Sequence, residues 1–262
     1  MAVWAGQPKQ ELGLREKYAY AVVSKRGGRV SKLILPKVSG ASAIVAAVLF
    51  LAWFWPTVEP MFGIRTPTSL KFEDWARFKL EHYHLLITVD WLVIIGLVCE
   101  LVALVGFFYI IRHVGPLTWL GLAAWFTGLL LVMFEHVIVL GVDSSLIPKY
   151  LAATESAKPA LEVLASTLNR VRLVAATVGN HLDLGLGVPV LALASLRIRQ
   201  VPKWVGWLGV LVGVSNWIPL HYWPSPNFIG FVVWLIAMGI TWLRLKEPVE
   251  ITGVRSVTQP GP

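Results

Sequence analysis

The stretch EHYHLLITVDWLVIIGLVCELVALVGFFYII, residues 81–111, decides the fold of this 262-residue chain. From His84 onward its only charged side chains are Asp90 and Glu100, and no proline interrupts it. A helix rises ~1.5 Å per residue and needs about 20 mostly apolar residues to cross hydrocarbon, so this run is long enough to span a bilayer. The rest of the chain has the same character. Hydrophobic residues make up 56% of it and charged residues 15%, far from the balance of a soluble domain.

Working outward, the sequence predicts an all-α, polytopic membrane bundle of six transmembrane helices. They fall at Val38–Trp55, His84–Ile111, Pro116–Leu140, Val171–Leu196, Val201–Leu220 and Asn227–Leu243. The expected organisation is a basic tail at 1–37, a transmembrane domain at 38–243 and a second tail at 244–262. Fifteen lysines and arginines fall on the side holding both tails, so the positive-inside rule predicts cytoplasmic termini in a cell membrane. The net charge of +8 has the same origin. Scattered beside membrane helices, these bases suit topology and anionic headgroups, not nucleic acid. The expected partners are therefore the lipid bilayer and other membrane subunits.

Two outer loops are expected to carry amphipathic helices. Phe72, Trp75 and Phe78 recur among charged residues, and Leu161, Leu164 and Leu168 follow Pro159, where proline suits a first helical turn. The fourth membrane helix is thus expected to begin outside the bilayer, near Pro159. Trp53, Trp55, Trp119, Trp204, Trp207, Trp217, Trp223 and Trp242 read as interfacial anchors. A hydrophilic stretch before the first apolar run argues against a cleavable signal. One cysteine, Cys99, excludes an internal disulfide and a cysteine-ligated cluster, and nucleotide, zinc-protease and serine-hydrolase motifs are absent from the sequence.

Chemistry must then come from polar residues inside the helices. An isolated charge in hydrocarbon costs ~2.5–3.5 kcal/mol on insertion scales, so such groups should meet between helices. Placed by depth, His84, Asp90, Glu135, His136, His181, Asp183 and His221 fall in the outer half or near the midplane, and Glu100 nearer the cytoplasm. Imidazoles on separate helices can ligate one centre. Cofactor-binding candidates are His84, His136, His181 and His221. A metal site would draw on His84, Asp90, Glu135, His136, His181 and Asp183, as haem b, copper or iron in a redox subunit. A shared centre requires His84, His136 and His181 to converge. Three other readings stand beside it: hydrogen-bonded polar packing in an accessory subunit; a proton-coupled transporter using Asp90, Glu100, Glu135 and Asp183; and a lipid enzyme using His84, Asp90 and His181, for which no nucleophile stands nearby.

One segment resembles a known group. Residues Leu182 to Trp217, containing LGLGVPVLALASLRIRQVPKWVGWLGVLVGV, are similar to the last third of a six-helix prokaryotic membrane protein family of unknown function. The likeness rests on a glycine-containing helix, a basic loop, and the next helix starting with Val201, Pro202, Trp204, Val205, Gly206, Trp207, Leu208 and Gly209. It implies a six-helix bundle and no activity.

Overall fold

The computed structural model describes residues 34–54, 71–218 and 226–245. They are helical, with no strand among the described residues. The helices are α1 (Ile34–Phe54), α2 (Phe72–Glu81), α3 (Tyr83–Ile111), α4 (Leu117–Ala152), α5 (Lys158–Ser195), α6 (Lys203–Ser215) and α7 (Pro226–Leu243). Four of them, α1, α3, α4 and α5, are long and apolar enough to cross a membrane. The expected count of six is not reached on length. With 13 residues, α6 extends only ~20 Å, and α7 is also short for a span of ~30 Å.

Large apolar side chains cover the outside of the long helices, including Trp91, Ile95 and Val105 of α3, Phe134 and Val137 of α4, and Val174 of α5. An exposed apolar belt of this extent is unfavourable in water and suits a lipid environment. Inside it, α1, α3, α4, α5, α6 and α7 share one core, which includes Phe107, Trp125, Leu191, Trp234 and Met238. Trp242 belongs to this core at 2% exposure, which corrects its reading as an interfacial anchor. Trp119, Trp204 and Trp207 are exposed, and Trp55 and Trp223 lie outside the described residues.

The loop expected between the third and fourth spans is much shorter than its sequence suggested. Helix α4 runs on to Ala152, and α5 already starts at Lys158, beside the Pro159 that was expected to open it. Their extensions are kept by packing: Val142, Leu146, Ile147 and Tyr150 of α4 meet Ala76 of α2 and Ala165 of α5, with Phe72, Trp75, Leu161 and Leu168 closing around them. The expected amphipathic helix is present as α2. Its Glu73 accepts from Arg77 at 2.7 Å and lies 3.7 Å from Lys158, and the Arg77 hydrogen bond holds its carboxyl below the usual range.

Both long helices contain a single π turn, Val142–Leu146 in α4 and Asp183–Gly187 in α5. Each stands just ahead of a proline, Pro148 or Pro189. A proline ring inside an α-helix collides with the carbonyl four residues earlier and donates no hydrogen bond, and the wider turn accommodates both defects without ending the helix. In α5 one carbonyl of the π turn, that of Gly185, accepts the Trp217 indole N–H at 2.8 Å.

Glycines set how closely α4 and α5 approach. A Cβ on Gly128 would stand 2.5 Å from the Asp183 nitrogen and 2.6 Å from the Gly179 carbonyl oxygen, and one on Gly187 would stand 2.6–2.7 Å from Cβ, Cα and N of Trp125. These are obstacles of backbone, which cannot rotate away. Gly128→Ala should therefore destabilise the bundle by about 1–3 kcal/mol through overpacking. Gly141, with nothing within 4 Å of its missing Cβ, should accept alanine with no loss or a gain of up to about 1 kcal/mol from helix propensity. Unfolding of the two variants side by side in detergent checks the contrast.

Candidate functional site

The glycine seam sets Asp183 of α5 against α4, and the π turn re-aims the residues that follow it. Around this point the bundle contains a cavity of about 330 Å³. It lies towards the end where α1 and α6 finish and α7 begins, since Phe50 and Trp53 of α1, Asn216 just after α6, and Asn227 and Phe228 of α7 all line it. The polar groups of its wall are Glu100 of α3, Glu135 and His136 of α4, Asn180 and Asp183 of α5, and the two asparagines Asn216 and Asn227. At 330 Å³ it stands at the small end of ligand pockets, ~300–1,000 Å³.

The polar groups fall into three sets. In the first, acids are paired with basic side chains. The His136 ring Nδ1 and Asp90 Oδ1 are 3.0 Å apart and buried, and Glu135 lies 3.8 Å from Arg172. Two turns further along α4, Lys79 of α2 donates to Asp143 at 2.8 Å, with the lysine 18% and the aspartate 4% exposed. Each pair offsets part of the cost of removing its members from water.

The second set consists of asparagines, which bond to one another and to nearby backbone. Asn216 donates to the Asn180 carbonyl at 3.2 Å, Asn227 donates to Asn216 Oδ1 at 2.8 Å, and Asn227 Oδ1 accepts the Phe228 N–H at 3.0 Å. This chain of bonds ties α5, the end of α6 and the start of α7 together. The amide oxygens of Asn216 and Asn227 are thereby occupied.

The third set is Glu100 and Asp183. At 1% and 4% exposure they are among the most buried polar residues of the chain, and they are close enough to act on one another electrostatically. Neither forms an ion pair among the described residues. Glu100 accepts the Trp125 indole N–H at 2.6 Å, whereas Asp183 Oδ1 is buried with no hydrogen-bond partner among the described residues. Beneath Glu100, Trp125 packs edge-on to Phe107 at 6.1 Å and against Trp234 at 5.6 Å, and Phe107 meets Trp242 at 5.1 Å. These rings close the bundle below the two acids.

The histidines expected to share a centre are dispersed. His136 lines the cavity and is committed to Asp90. His181 sits on the α5 face that meets Trp217, its Nδ1 2.7 Å from the Thr177 carbonyl oxygen. His84 is exposed in the first turn of α3 beside Tyr83, and His221 lies outside the described residues. Among the described residues no three His, Cys, Asp or Glu side chains form a group that could hold a metal ion. A helix of 3.6 residues per turn explains the dispersal: neighbours in depth need not share a face. By contrast, Glu100 joins Asp183 although sequence depth placed it apart. The signal available was the helix face: Val93, Leu97 and Glu100, at spacings of four and three, all line the cavity.

The Lys79–Asp143 pair provides a stability test. Lys79→Met should cost about 1.5–3 kcal/mol, because it leaves a buried carboxylate without its charged donor. Adding Asp143→Asn should return part of that loss. Denaturant unfolding of the singles and the double gives the coupling directly, and additive losses would show that the pair contributes nothing. No protein-family model, curated protein or solved structure matches this chain.

Proposed function

We propose that this chain is a multi-pass membrane protein that binds a small solute in its central cavity and exchanges it with protons, Glu100 and Asp183 being the proton-carrying pair. The observation that carries this reading is their placement: two carboxyl groups buried on one cavity wall, neither in an ion pair. Two carboxylates crowded into apolar surroundings cannot both stay ionised at low cost. A proton satisfies the pair, and a bound cation can take its place. Intramembrane acids of this kind are the usual sites of ion and proton coupling.

The surrounding structure supports the same division of labour. Asp90–His136 and Glu135–Arg172 are paired and join α3, α4 and α5, while the asparagine chain joins α5, the end of α6 and α7. Towards one end the cavity meets these polar groups; towards the other, the Phe107, Trp125, Trp234 and Trp242 rings form an apolar barrier. A binding chamber with an aromatic barrier on one side is what one state of an alternating-access cycle requires. In this reading the chain lies in a cell membrane with both termini in the cytoplasm, where its basic residues concentrate. The paired charges favour a second reading, an accessory subunit whose polar layer is structural. A haem or metal centre in a redox subunit has less support, because the histidines do not gather.

A carbodiimide test separates the first two readings. Dicyclohexylcarbodiimide reacts with protonated carboxyl groups in apolar surroundings. In membranes carrying the full chain, mass spectrometry should find the adduct on Glu100 or Asp183, with less of it as the pH rises, and none at these positions in the Glu100→Gln/Asp183→Asn variant. If folded protein gives no adduct at either residue while the unfolded chain is labelled there, the proton-carrying pair is refuted.

A further inference from the structure

The cavity wall also indicates which class of solute fits it. Phe50 and Trp53 from α1 and Phe228 and Phe231 from α7 line the same cavity as the acids. They form two aromatic pairs: Trp53 meets Phe228 edge-on at 5.6 Å, and Phe50 meets Phe231 at 6.4 Å. An acid pair and aromatic rings lining one cavity are complementary to a cation with an apolar body. The charge is neutralised by carboxylate and by ring faces, and the body replaces water against the rings.

A bare inorganic ion matches this wall less well. Calcium or magnesium takes about six or more oxygen ligands. Here the Asn216 and Asn227 amide oxygens already accept hydrogen bonds, and no three-residue metal group exists among the described residues. The buried Asp183 Oδ1, on a residue that lines the cavity, has no hydrogen-bond partner among the described residues. An ammonium N–H is the donor its chemistry lacks.

We infer that the cavity binds a small organic monocation, an amine in its ammonium form, between the Glu100–Asp183 pair and the aromatic wall of Trp53, Phe228 and Phe231. The inference rests on the proton-exchange reading and specifies its solute. As the ammonium ion enters, the proton held by the acid pair leaves to water, so the net charge of the chamber is unchanged. No covalent bond is made or broken apart from that O–H.

The test uses the purified full chain with phenethylammonium as probe, 2-phenylethanol as its neutral counterpart and sodium as the inorganic control. Calorimetry in two buffers of different ionisation enthalpy measures both affinity and protons released. Phenethylammonium should bind saturably and release about one proton per ligand, since proton uptake and ligand charge are linked. The alcohol and sodium should not bind. Asp183→Asn and Glu100→Gln should each weaken the amine by about 10–100-fold, as expected for losing one charged hydrogen bond. The ammonium–alcohol comparison is made on the unmodified protein, so it stands even where a variant does not fold. Equal binding of the alcohol, or full binding by folded Asp183→Asn and Glu100→Gln variants, would overturn the inference. Absence of saturable amine binding together with a carbodiimide adduct on the pair would overturn the amine inference and leave proton exchange intact. Absence of both would overturn both.

Discussion

The close approach of α4 and α5 is the contact on which the rest of the interior depends. Gly128, Gly179 and Gly187 let the two backbones touch where any side chain would separate them. That contact brings the start of the α5 π turn against α4 and buries Asp183 beside it. It also leaves the Trp125 backbone against Gly187, so that the Trp125 indole can reach Glu100 on α3. Small residues serve this purpose in lipid because hydrophobic burial gives little drive for helices to associate there. Close packing and hydrogen bonds between helices must supply it.

The cost of burying polar groups then explains the order of the interior. Three polar pairs, Asp90–His136, Glu135–Arg172 and Lys79–Asp143, each join neighbouring helices. Backbone carbonyls released by the π turn and near it are capped by Trp217 and Asn216. Against this nearly complete matching, Glu100 and Asp183 stand out as acids without a base, and the cavity beside them is where a missing partner would bind. A buried acid without a base is a candidate functional group, and this contrast is what separates the pair from the rest of the polar layer.

Much of the helical layout was legible in the sequence. Apolar runs located every helix that carries the core, and the spacing of Phe72, Trp75 and Phe78 located α2. Depth along each helix also put Glu135, His136 and Asp183 in one region, and they do line one cavity. What depth could not give was azimuth. His84, His136 and His181 share a region without sharing a face, and Glu100, set aside on depth, turns to the same cavity as Asp183. The extent of α4 was misjudged for a related reason, whereas the start of α5 beside Pro159 was read correctly. Polar residues and prolines near Pro148 look like a loop, but a π turn absorbs the proline, and contacts with α2 support the added turns.

Composition and the length of its apolar runs alone determined that this chain is helical and suited to a membrane, because the penalty for exposing backbone groups to hydrocarbon leaves few other folds. They also determined that its buried charges must be reconciled in the interior. Only the tertiary structure decided which charges meet which. That choice depends on the rotation of each helix about its axis, and the rotation is set by glycine contacts, π turns and asparagine bridges between segments distant in the chain.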